Sequence, residues 1–283
     1  MSFNCVLCES ITGELIYANC DDFYLQKPYR VNYYRCEACG LTQQSPMPLD
    51  TSVFYDDYPI HKKKSWLFRK IQSTIMKPVY FSIGDVSPKS KLLDYGCGDG
   101  GFLENSLNAD LDLTGFEPNH SHSKRLSKKL GIPIYSDFSE LLSNYEGEID
   151  VITLHFVLEH LSKPHDIFQK LFRLLKPGGI FFFTIPNIDS IEARLFGRKW
   201  HALDPPRHLT FLEETHVHAM ALKHGFELKK TLHLPFPNGF AGSLPVIFFG
   251  RFRYFLFLVC FPLGIIFSRL FPCGTKAYWL VKI

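Results

Sequence analysis

Short apolar runs alternate with segments of mixed polarity through the middle of the chain. Each run has the length of a buried strand, and the segments between the runs are long enough for helices. Strands that alternate with helices in this way predict an α/β fold with a parallel, doubly wound sheet. The predicted strands are residues 92–95, 112–117, 132–135, 149–154 and 180–185. The predicted helices are residues 102–108, a helix capped by Asn119 that runs to about residue 130, a helix that begins near residue 139, and residues 164–175 and 213–224.

Two further apolar segments flank this alternation. Apolar residues at helical spacing predict a helix over residues 66–80, ahead of the first strand. Near the other end, residues 242–272 contain a charge-free run over residues 254–268, which is 15 residues long. A helix that spans a bilayer needs roughly 18 to 20 apolar residues. Because arginines flank the run and Pro262 interrupts it, an interfacial or re-entrant element is favoured, while a pocket cover and a dimer contact stay open.

Composition narrows the class of protein. The 283 residues are 46% hydrophobic, which is ample for one large core with attachments, and the net charge of +3 does not favour a nucleic-acid partner. The first ten residues are polar and do not resemble a signal peptide, so the expected location is the cytoplasm. In a reducing compartment, eight cysteines indicate metal binding rather than disulfides.

Four of the cysteines form two C-x-x-C pairs. Cys5 and Cys8 are separated by 27 residues from Cys36 and Cys39. Each pair presents two thiolates from one tight turn, and four thiolates suit a structural zinc ion without an open coordination position. With short strands predicted over residues 14–17 and 30–35, the pattern predicts a zinc ribbon. A redox C-x-x-C and a chance occurrence of the two pairs remain the alternatives, although a redox site needs only one pair.

A glycine-rich turn follows the first predicted strand. Gly96, Gly98 and Gly101 satisfy G-x-G-x-x-G, the dinucleotide fingerprint, which is weak on its own. Asp94 ends the strand two residues before the first glycine, and a carboxylate there would repel a pyrophosphate but accept a cationic ligand. The next strand also ends in an acid, Glu117, whose carboxylate can accept both hydroxyl groups of a ribose.

The string Asp94-x-Gly96-x-Gly98-x-Gly100 resembles the first motif of class I S-adenosylmethionine-dependent methyltransferases, and the phrase from Gly115 to Pro118 resembles the second. The resemblance implies that the glycine turn faces the methionine part of the cofactor, that Asp94 positions it, and that Glu117 binds the ribose. It covers roughly residues 50–235 and resumes at the last strand. It also implies that residues 176–179 form a structural turn and that residues 226–233 and 277–282 form a final antiparallel hairpin.

The same resemblance assigns further roles around the cofactor. Tyr55 and Tyr58 stand in a segment whose aromatic side chains close over the cofactor in many such enzymes, although they could equally pack. Asp137 would meet the adenine or, alternatively, cap the following helix. His155 would form the back of the cofactor or acceptor pocket.

Two histidines are candidates for the chemistry at the acceptor. His160 follows the fourth strand, where open α/β sheets bind ligands, and can accept a proton near neutral pH, although it could also only order its loop. His208 lies in a proline-rich loop, with Arg207 expected to face the acceptor and bind an anion, and Trp200 as a weaker candidate. The alternative for this loop is a rigid surface segment.

These patterns divide the chain into five parts and imply a function. The parts are a zinc-ribbon-like module (1–45), a linker with a helical segment (46–89), the S-adenosylmethionine-binding core (90–234), an apolar helical insertion (235–275) and the last core strand (276–283). A zinc ribbon ahead of such a core resembles sugar C-methyltransferases, so the expected acceptor is a small molecule, either a sugar or glycan or a lipid-linked sugar, at the inner face of the membrane. A non-catalytic binding or scaffold protein at the membrane and a nicotinamide-dependent oxidoreductase remain open, as does a homodimer.

Overall fold

The computed structural model describes residues 3–54, 66–271 and 274–283, and these form eleven strands and nine α-helices. The helices are α1 (Trp66–Tyr80), α2 (Gly101–Ser106), α3 (His120–Leu130), α4 (Phe138–Tyr145), α5 (Pro164–Leu174), α6 (Ile191–Phe196), α7 (Glu214–Lys223), α8 (Asn238–Phe249) and α9 (Tyr254–Leu270).

A mostly parallel sheet of seven strands forms the centre of the molecule. Its strands are β4 (Lys91–Tyr95), β5 (Asp112–Phe116), β6 (Ile134–Tyr135), β7 (Ile149–His155), β8 (Leu175–Pro186), β10 (Phe226–His233) and β11 (Thr275–Lys282), in the order β10-β11-β8-β7-β4-β5-β6. The strands β4 to β8 run parallel, and β11 pairs antiparallel with both β8 and β10. The predicted α/β fold, including its final hairpin, is confirmed.

Apolar side chains point from the central strands into two cores. Leu93 and Ile152 pack with α4, α5 and α7 on one face, whereas Leu92 and Val151 pack with α1, α2 and α3 on the other. Successive residues of a strand point to opposite faces, so an unbroken apolar run fills both cores. The parallel strands therefore end at one edge of a fully covered sheet, where their polar terminal residues meet.

The N-terminal segment forms a second, antiparallel sheet. Its order is β1 (Gly13–Asp21), β2 (Arg30–Cys36), β3 (Thr42–Ser45) and β9 (Thr210–Phe211). The fourth strand comes from the loop after β8, and its pairing with β3 places Thr42 opposite Phe211. This sheet is therefore built into the loop that carries His208, which the sequence patterns did not predict.

Two predicted elements differ in their details. The third strand shortens to Ile134–Tyr135 because Pro133 has no N–H to donate, although its carbonyl still accepts from the Gly115 N–H at 3.0 Å. The predicted turn over residues 176–179 lies inside β8, where the pairing jumps from Ile149–Leu175 to Val151–Ile180 and leaves a bulge.

The apolar insertion consists of two packed helices, α8 and α9. Both are apolar around most of their circumference, and α9 contains Pro262. In the parts of the chain that the structure describes, neither these helices nor any other combines the length and hydrophobicity that a membrane-spanning helix needs.

Candidate functional site

A cavity of about 1120 Å³ opens at the carboxyl ends of the parallel strands. Open α/β sheets bind ligands at this edge, and the volume slightly exceeds the usual range of about 300–1,000 Å³ for one small-molecule pocket. Seven of the predicted site residues line it, namely Asp94, Gly96, Gly98, Glu117, His155, His160 and His208. The structure therefore brings five of the predicted cofactor residues and the two candidate acceptor histidines into one pocket.

The glycine turn after β4 forms the floor of the cavity. Gly96 has φ of 77°, and a Cβ there would lie 2.7 Å from Val157 Cγ2, so only glycine fits. Gly100 has a different role: it does not line the cavity, and a Cβ would lie 2.6 Å from Leu126 Cδ1. Gly100 thus allows α3 to pack closely against the turn.

Asp94 lies at the end of β4 and is almost fully buried. The Thr153 hydroxyl donates to its Oδ1 at 2.9 Å. Burial raises the pKa of Asp94 to about 7, and the neighbouring charge of Asp99 adds to this effect. A cationic ligand in the cavity would favour the ionised form, which is consistent with the positioning role that the motif implies.

Glu117 follows β5 and faces the same cavity. Its Oε1 accepts a hydrogen bond from the Asn119 N–H at 3.1 Å, which orients the carboxylate, and burial raises its pKa. The remaining lone pairs of the carboxylate can accept hydroxyl donors from a ligand. Asn119 also caps α3 by accepting from the His122 N–H, as its position predicted.

Asp137 caps a helix and does not line the cavity. Its carboxylate accepts from the Glu140 N–H at 2.9 Å at the start of α4, and the neighbouring Phe138 lines the pocket instead. Of the two roles considered for Asp137, the structure shows the cap, and it places an aromatic ring where a flat ligand ring could pack.

His155 lies behind the glycine turn at the end of β7. Its ring packs against Tyr80, Phe102 and Phe182, and burial lowers its pKa to about 3, so the ring is neutral. Among the described residues, its Nε2 has no hydrogen-bond partner although it is buried. His155 is thus a neutral polar group at the back of the pocket, as expected from its position.

His160 and His208 lie in direct contact in the wall of the cavity. Their ring centroids are 4.6 Å apart in an edge-to-face arrangement. The Nδ1–H of His160 donates to the Arg207 carbonyl at 3.0 Å, and that of His208 donates to the Ala202 carbonyl at 2.8 Å. A carbonyl can only accept, so the lone pair of each neutral ring is on Nε2. Burial lowers the pKa of both rings, that of His208 to about 3.

Arg207 does not face the acceptor, and the expectation that it binds an anion there is wrong. Its side chain is buried and forms hydrogen bonds of 2.7–3.1 Å with the carboxylates of Asp22 and Asp204. Two carboxylates already satisfy the guanidinium, which therefore joins the N-terminal sheet to the loop of His208. Trp200 is also buried away from the cavity and donates its Nε1–H to Glu192.

Two buried carboxylates were missed in the sequence. Glu159 lies under His160 and His208, with its Oε1 4.0 Å from His208 Nε2, and burial raises its pKa to about 8. Glu192 lines the cavity and accepts from Trp200 at 3.2 Å. An acidic residue inside the apolar segment of residues 156–161 was the one available signal for Glu159.

The four N-terminal cysteines converge. Their sulfur atoms all lie within 4.8 Å of one another, with Cys5–Cys39 and Cys8–Cys36 separations of 3.6 Å. Both knuckles close in the same way, because the residue after each pair has positive φ (61° at Glu9 and 82° at Gly40). The Glu9 N–H donates to the backbone carbonyl of Cys5 at 3.0 Å, and the Gly40 N–H donates to the backbone carbonyl of Cys36 at 2.9 Å.

The aromatic segment before α1 cannot be placed on this site. Tyr55 and Tyr58 lie outside the described residues. Their closing over the cofactor stays a prediction. The cavity wall nearest in sequence to that segment contains Asp50 and Thr51 on one side of it and Gln72 and Met76 of α1 on the other.

Comparison with known proteins identifies the family of this chain. The family model for a methyltransferase domain matches residues 65–231. The ubiquinone biosynthesis O-methyltransferase of Escherichia coli O127:H6 is 33% identical over 104 residues, which are 34% of this chain and 43% of that protein, so less than half of the relative is covered.

Solved structures share the fold at low sequence identity. A chain of the complex between the Haloferax volcanii Trm112 methyltransferase activator and a methyltransferase has a TM-score of 0.55 at 13% identity, covering 83% of this chain and 98% of that chain. A structure of Haemonchus contortus phosphoethanolamine N-methyltransferase 2 with S-adenosylhomocysteine has a TM-score of 0.52 at 13% identity. The match covers 85% of this chain and 62% of that chain. The chain therefore belongs to the methyltransferase-domain family and has the class I S-adenosylmethionine-dependent methyltransferase fold.

Proposed function

We propose that the chain transfers a methyl group from S-adenosylmethionine to a small-molecule acceptor, a sugar or glycan or a lipid-linked sugar. The observation that carries the proposal is the shared cavity, in which the cofactor-side residues and two histidines face the same space. When bound, the cofactor supplies an electrophilic methyl group on a sulfonium centre. The rate then depends mostly on how the chain positions the acceptor.

The residues on the cofactor side fit this ligand. Gly96 and Gly98 line the cavity, so the backbone of the glycine turn is open to the ligand, and the missing Cβ of Gly96 leaves room for Val157. Asp94 places a carboxylate where the cationic part would lie, and Glu117 offers acceptor oxygens to ribose hydroxyls. His155 and Phe138 complete the walls on this side.

On the acceptor side, His160 and His208 are the groups that we assign to the chemistry. Both rings are oriented by a backbone carbonyl, so each presents Nε2 as a hydrogen-bond acceptor for a hydroxyl group. The buried Arg207 network holds this loop in place from behind. An acceptor hydroxyl bonded to either Nε2 would lie in the same cavity as the cofactor.

We also propose that the N-terminal cysteines bind a structural zinc ion. A tetrahedron with Zn–S bonds of 2.3 Å has edges of about 3.8 Å. The observed sulfur separations of 3.6 Å match those edges. Four thiolates close the coordination shell, so this ion would stabilise the module and take no part in methyl transfer.

The exposed face of α8 and α9 supports contact with a membrane surface. Phe248 and Phe255 are 73% and 75% exposed, and further apolar side chains of α9 lie beside them. Arg251, Arg253 and Arg269 are exposed at the ends of this face, where they could meet anionic headgroups. A lipid-linked acceptor would then reach the cavity from the surface to which the enzyme binds.

The decisive experiment uses labelled S-adenosylmethionine, the purified protein and an extract of source cells partitioned into lipid and aqueous phases. We expect label in the lipid phase with the wild type and none with the Asp94→Ala/Glu117→Ala double variant. Label in the aqueous phase would point to a soluble sugar or small metabolite and would assign α8 and α9 to a pocket cover or a dimer contact. Cofactor binding without transfer to any extract would favour a non-catalytic binding protein.

A further inference from the structure

Three ligand-type side chains form a cluster at the acceptor end of the cavity. Glu159, His160 and His208 each offer one nitrogen or oxygen atom, and these three atoms lie within 4.8 Å of one another. We propose that this cluster, named here the Glu-His-His site, binds one divalent transition-metal cation such as Mn²⁺, Fe²⁺ or Zn²⁺. Two imidazoles and a carboxylate are a common ligand set for such ions.

The two histidines are already arranged as metal ligands. Each donates its Nδ1–H to a backbone carbonyl, which fixes the tautomer and leaves the lone pair on Nε2. Ligating histidines in metalloproteins almost always have such a partner on the other ring nitrogen. Both residues reach this point from different loops, and the Leu209 N–H ties the loops together by donating to the Glu159 carbonyl at 2.6 Å.

The buried carboxylate of Glu159 independently indicates a bound cation. Its side chain is 2% exposed, and within the described parts of the chain neither carboxylate oxygen has a hydrogen-bond partner. A buried carboxylate without donors is costly, so such groups are expected to be paired or to bind a metal. Glu159 Oε1 lies 4.0 Å from His208 Nε2, which is too long for a hydrogen bond.

The geometry and the local charge both suit a divalent ion. Metal bonds of about 2.0–2.2 Å put neighbouring ligand atoms on the order of 3.0–3.5 Å apart, so the side chains need to close only slightly. Beside the cluster, the Arg207 guanidinium is paired with two carboxylates, of Asp22 and Asp204, which leaves one net negative charge. An ionised Glu159 would add a second, and a divalent cation would neutralise both.

The site is open toward the acceptor. His160 and His208 line the cavity, whereas Glu159 lies behind them, so three protein ligands occupy one side and leave the cavity side for a ligand oxygen. A cation there would bind an acceptor hydroxyl and lower its pKa, as metals do for water. The hydroxyl proton would leave to water, the oxygen would form the bond to the methyl carbon, and the carbon–sulfur bond would break. With the cation bound, Nε2 of His160 and of His208 would hold the metal, and the two rings would act on the hydroxyl through it instead of accepting its hydrogen bond directly. This role rests on the proposed methyl transfer, but cation binding does not.

The test is a Mn²⁺ titration of the zinc-loaded full chain, followed by the EPR signal of free Mn²⁺. Thiolates are poor ligands for Mn²⁺, so the cysteine cluster does not interfere. We expect one Mn²⁺ per chain, and a loss of affinity of at least about 10-fold in Glu159→Gln and in His208→Asn. The asparagine retains a donor for the Ala202 carbonyl while removing Nε2, so a merely structural role for His208 predicts unchanged binding.

Glu192→Gln is the matched control, because Glu192 is another buried carboxylate on the same cavity that already accepts from Trp200. It should bind Mn²⁺ as the wild type does. Wild-type protein that binds no Mn²⁺ at millimolar concentration, or variants that bind it equally well, would overturn the Glu-His-His site. Calorimetric binding of S-adenosylhomocysteine is measured in the same samples: its presence without Mn²⁺ binding refutes only this inference, and its absence in the wild type refutes the proposed function.

Discussion

The four-cysteine cluster and the Glu-His-His site gather metal-ligand side chains in two different ways. The cysteines come from two local turns, and four sulfur atoms surround one point. The Glu-His-His site combines two neighbouring residues with one from a distant loop, and its fourth side faces the cavity. A complete shell suits a structural ion, whereas an incomplete one leaves room for a ligand. The number of side-chain ligands therefore favours a structural role for the four-cysteine cluster and a ligand-binding role for the proposed Glu-His-His site.

The two clusters are also connected. Asp22 follows β1 in the N-terminal sheet and accepts from both terminal nitrogens of Arg207, at 2.8 Å and 3.1 Å. The carbonyl of Arg207 orients His160, and His208 is the next residue along the chain. The N-terminal sheet thus holds the acceptor loop from behind, and changes in one cluster can be tested for their effect on the other.

The largest expected effect comes from breaking the closed cluster. Cys36→Ser should abolish stoichiometric zinc binding and destabilise the N-terminal sheet by more than about 5 kcal/mol, because binding free energy at structural zinc sites is folding free energy. The measurement is zinc content together with thermal unfolding. Cys260→Ser is the control, because Cys260 is a half-buried residue of α9 outside the cluster. Its zinc content and its thermal unfolding should match those of the wild type. A Cys36→Ser protein with normal zinc and stability would contradict a structural zinc site.

The second prediction tests the ion pair between Asp22 and Arg207, which connects the N-terminal sheet to the loop of His208. Asp22→Asn should destabilise the chain by about 1–3 kcal/mol: Asp204 still neutralises Arg207, but the buried guanidinium loses its charge-assisted hydrogen bonds to the Asp22 carboxylate. Asp21→Asn is the matched control with the same change in charge, and since Asp21 and Arg30 are exposed it should cost less than about 0.5 kcal/mol. Urea unfolding of both variants measures the difference. Equal values would mean that the Arg207 network does not support the fold.

The sequence was most informative where signals are local. The helix Trp66–Tyr80, the Asn119 cap and the parallel strands follow from spacing and turn chemistry within a few residues. The cysteine convergence also follows from two short motifs. Arg207 shows the limit: its partner Asp22 is 185 residues away, so an arginine in a polar loop appeared suited to anions although the fold buries it.

Contacts between residues far apart in sequence were also unpredictable around His160 and His208. His160 was found because it follows a strand end, but Glu159 beside it was passed over, since only the folded chain places His208 within 4.0 Å of it. Asp137 was assigned two roles because capping and ligand binding use the same residue type at the same strand end. Which side chain enters the cavity is decided by packing, and Phe138 occupies that position.

The third prediction concerns the pH dependence of stability at Glu192, a buried carboxylate that lines the cavity. Burial raises the pKa of Glu192 to about 7, whereas in the unfolded chain it is near 4.5. A raised folded pKa means that the stabilising contribution is complete below pH 4.5 and is lost as the pH rises through 7. Glu192→Gln should therefore gain about 1–3 kcal/mol relative to the wild type between pH 4.5 and pH 8. Urea unfolding at both pH values measures this, and a pH-independent difference would contradict the assignment.

The smallest expected effect is the stability gained on Mn²⁺ binding, and it tests whether the two clusters differ in their contribution to the fold. With Mn²⁺ at its own Kd, the Glu-His-His site should gain only about 0.4 kcal/mol of stability, which raises Tm by about 1–2 °C. Adding EDTA briefly should remove Mn²⁺ and this increment while the zinc content stays unchanged, because Cys5 and Cys36 are buried and their shell is closed. The backbone hydrogen bonds that hold His160 and His208 persist without the ion, so the fold should not depend on it. If EDTA instead unfolds the acceptor loop at constant zinc content, as judged by hydrogen exchange of residues 200–212, the open site is a structural one and the division between the two clusters fails.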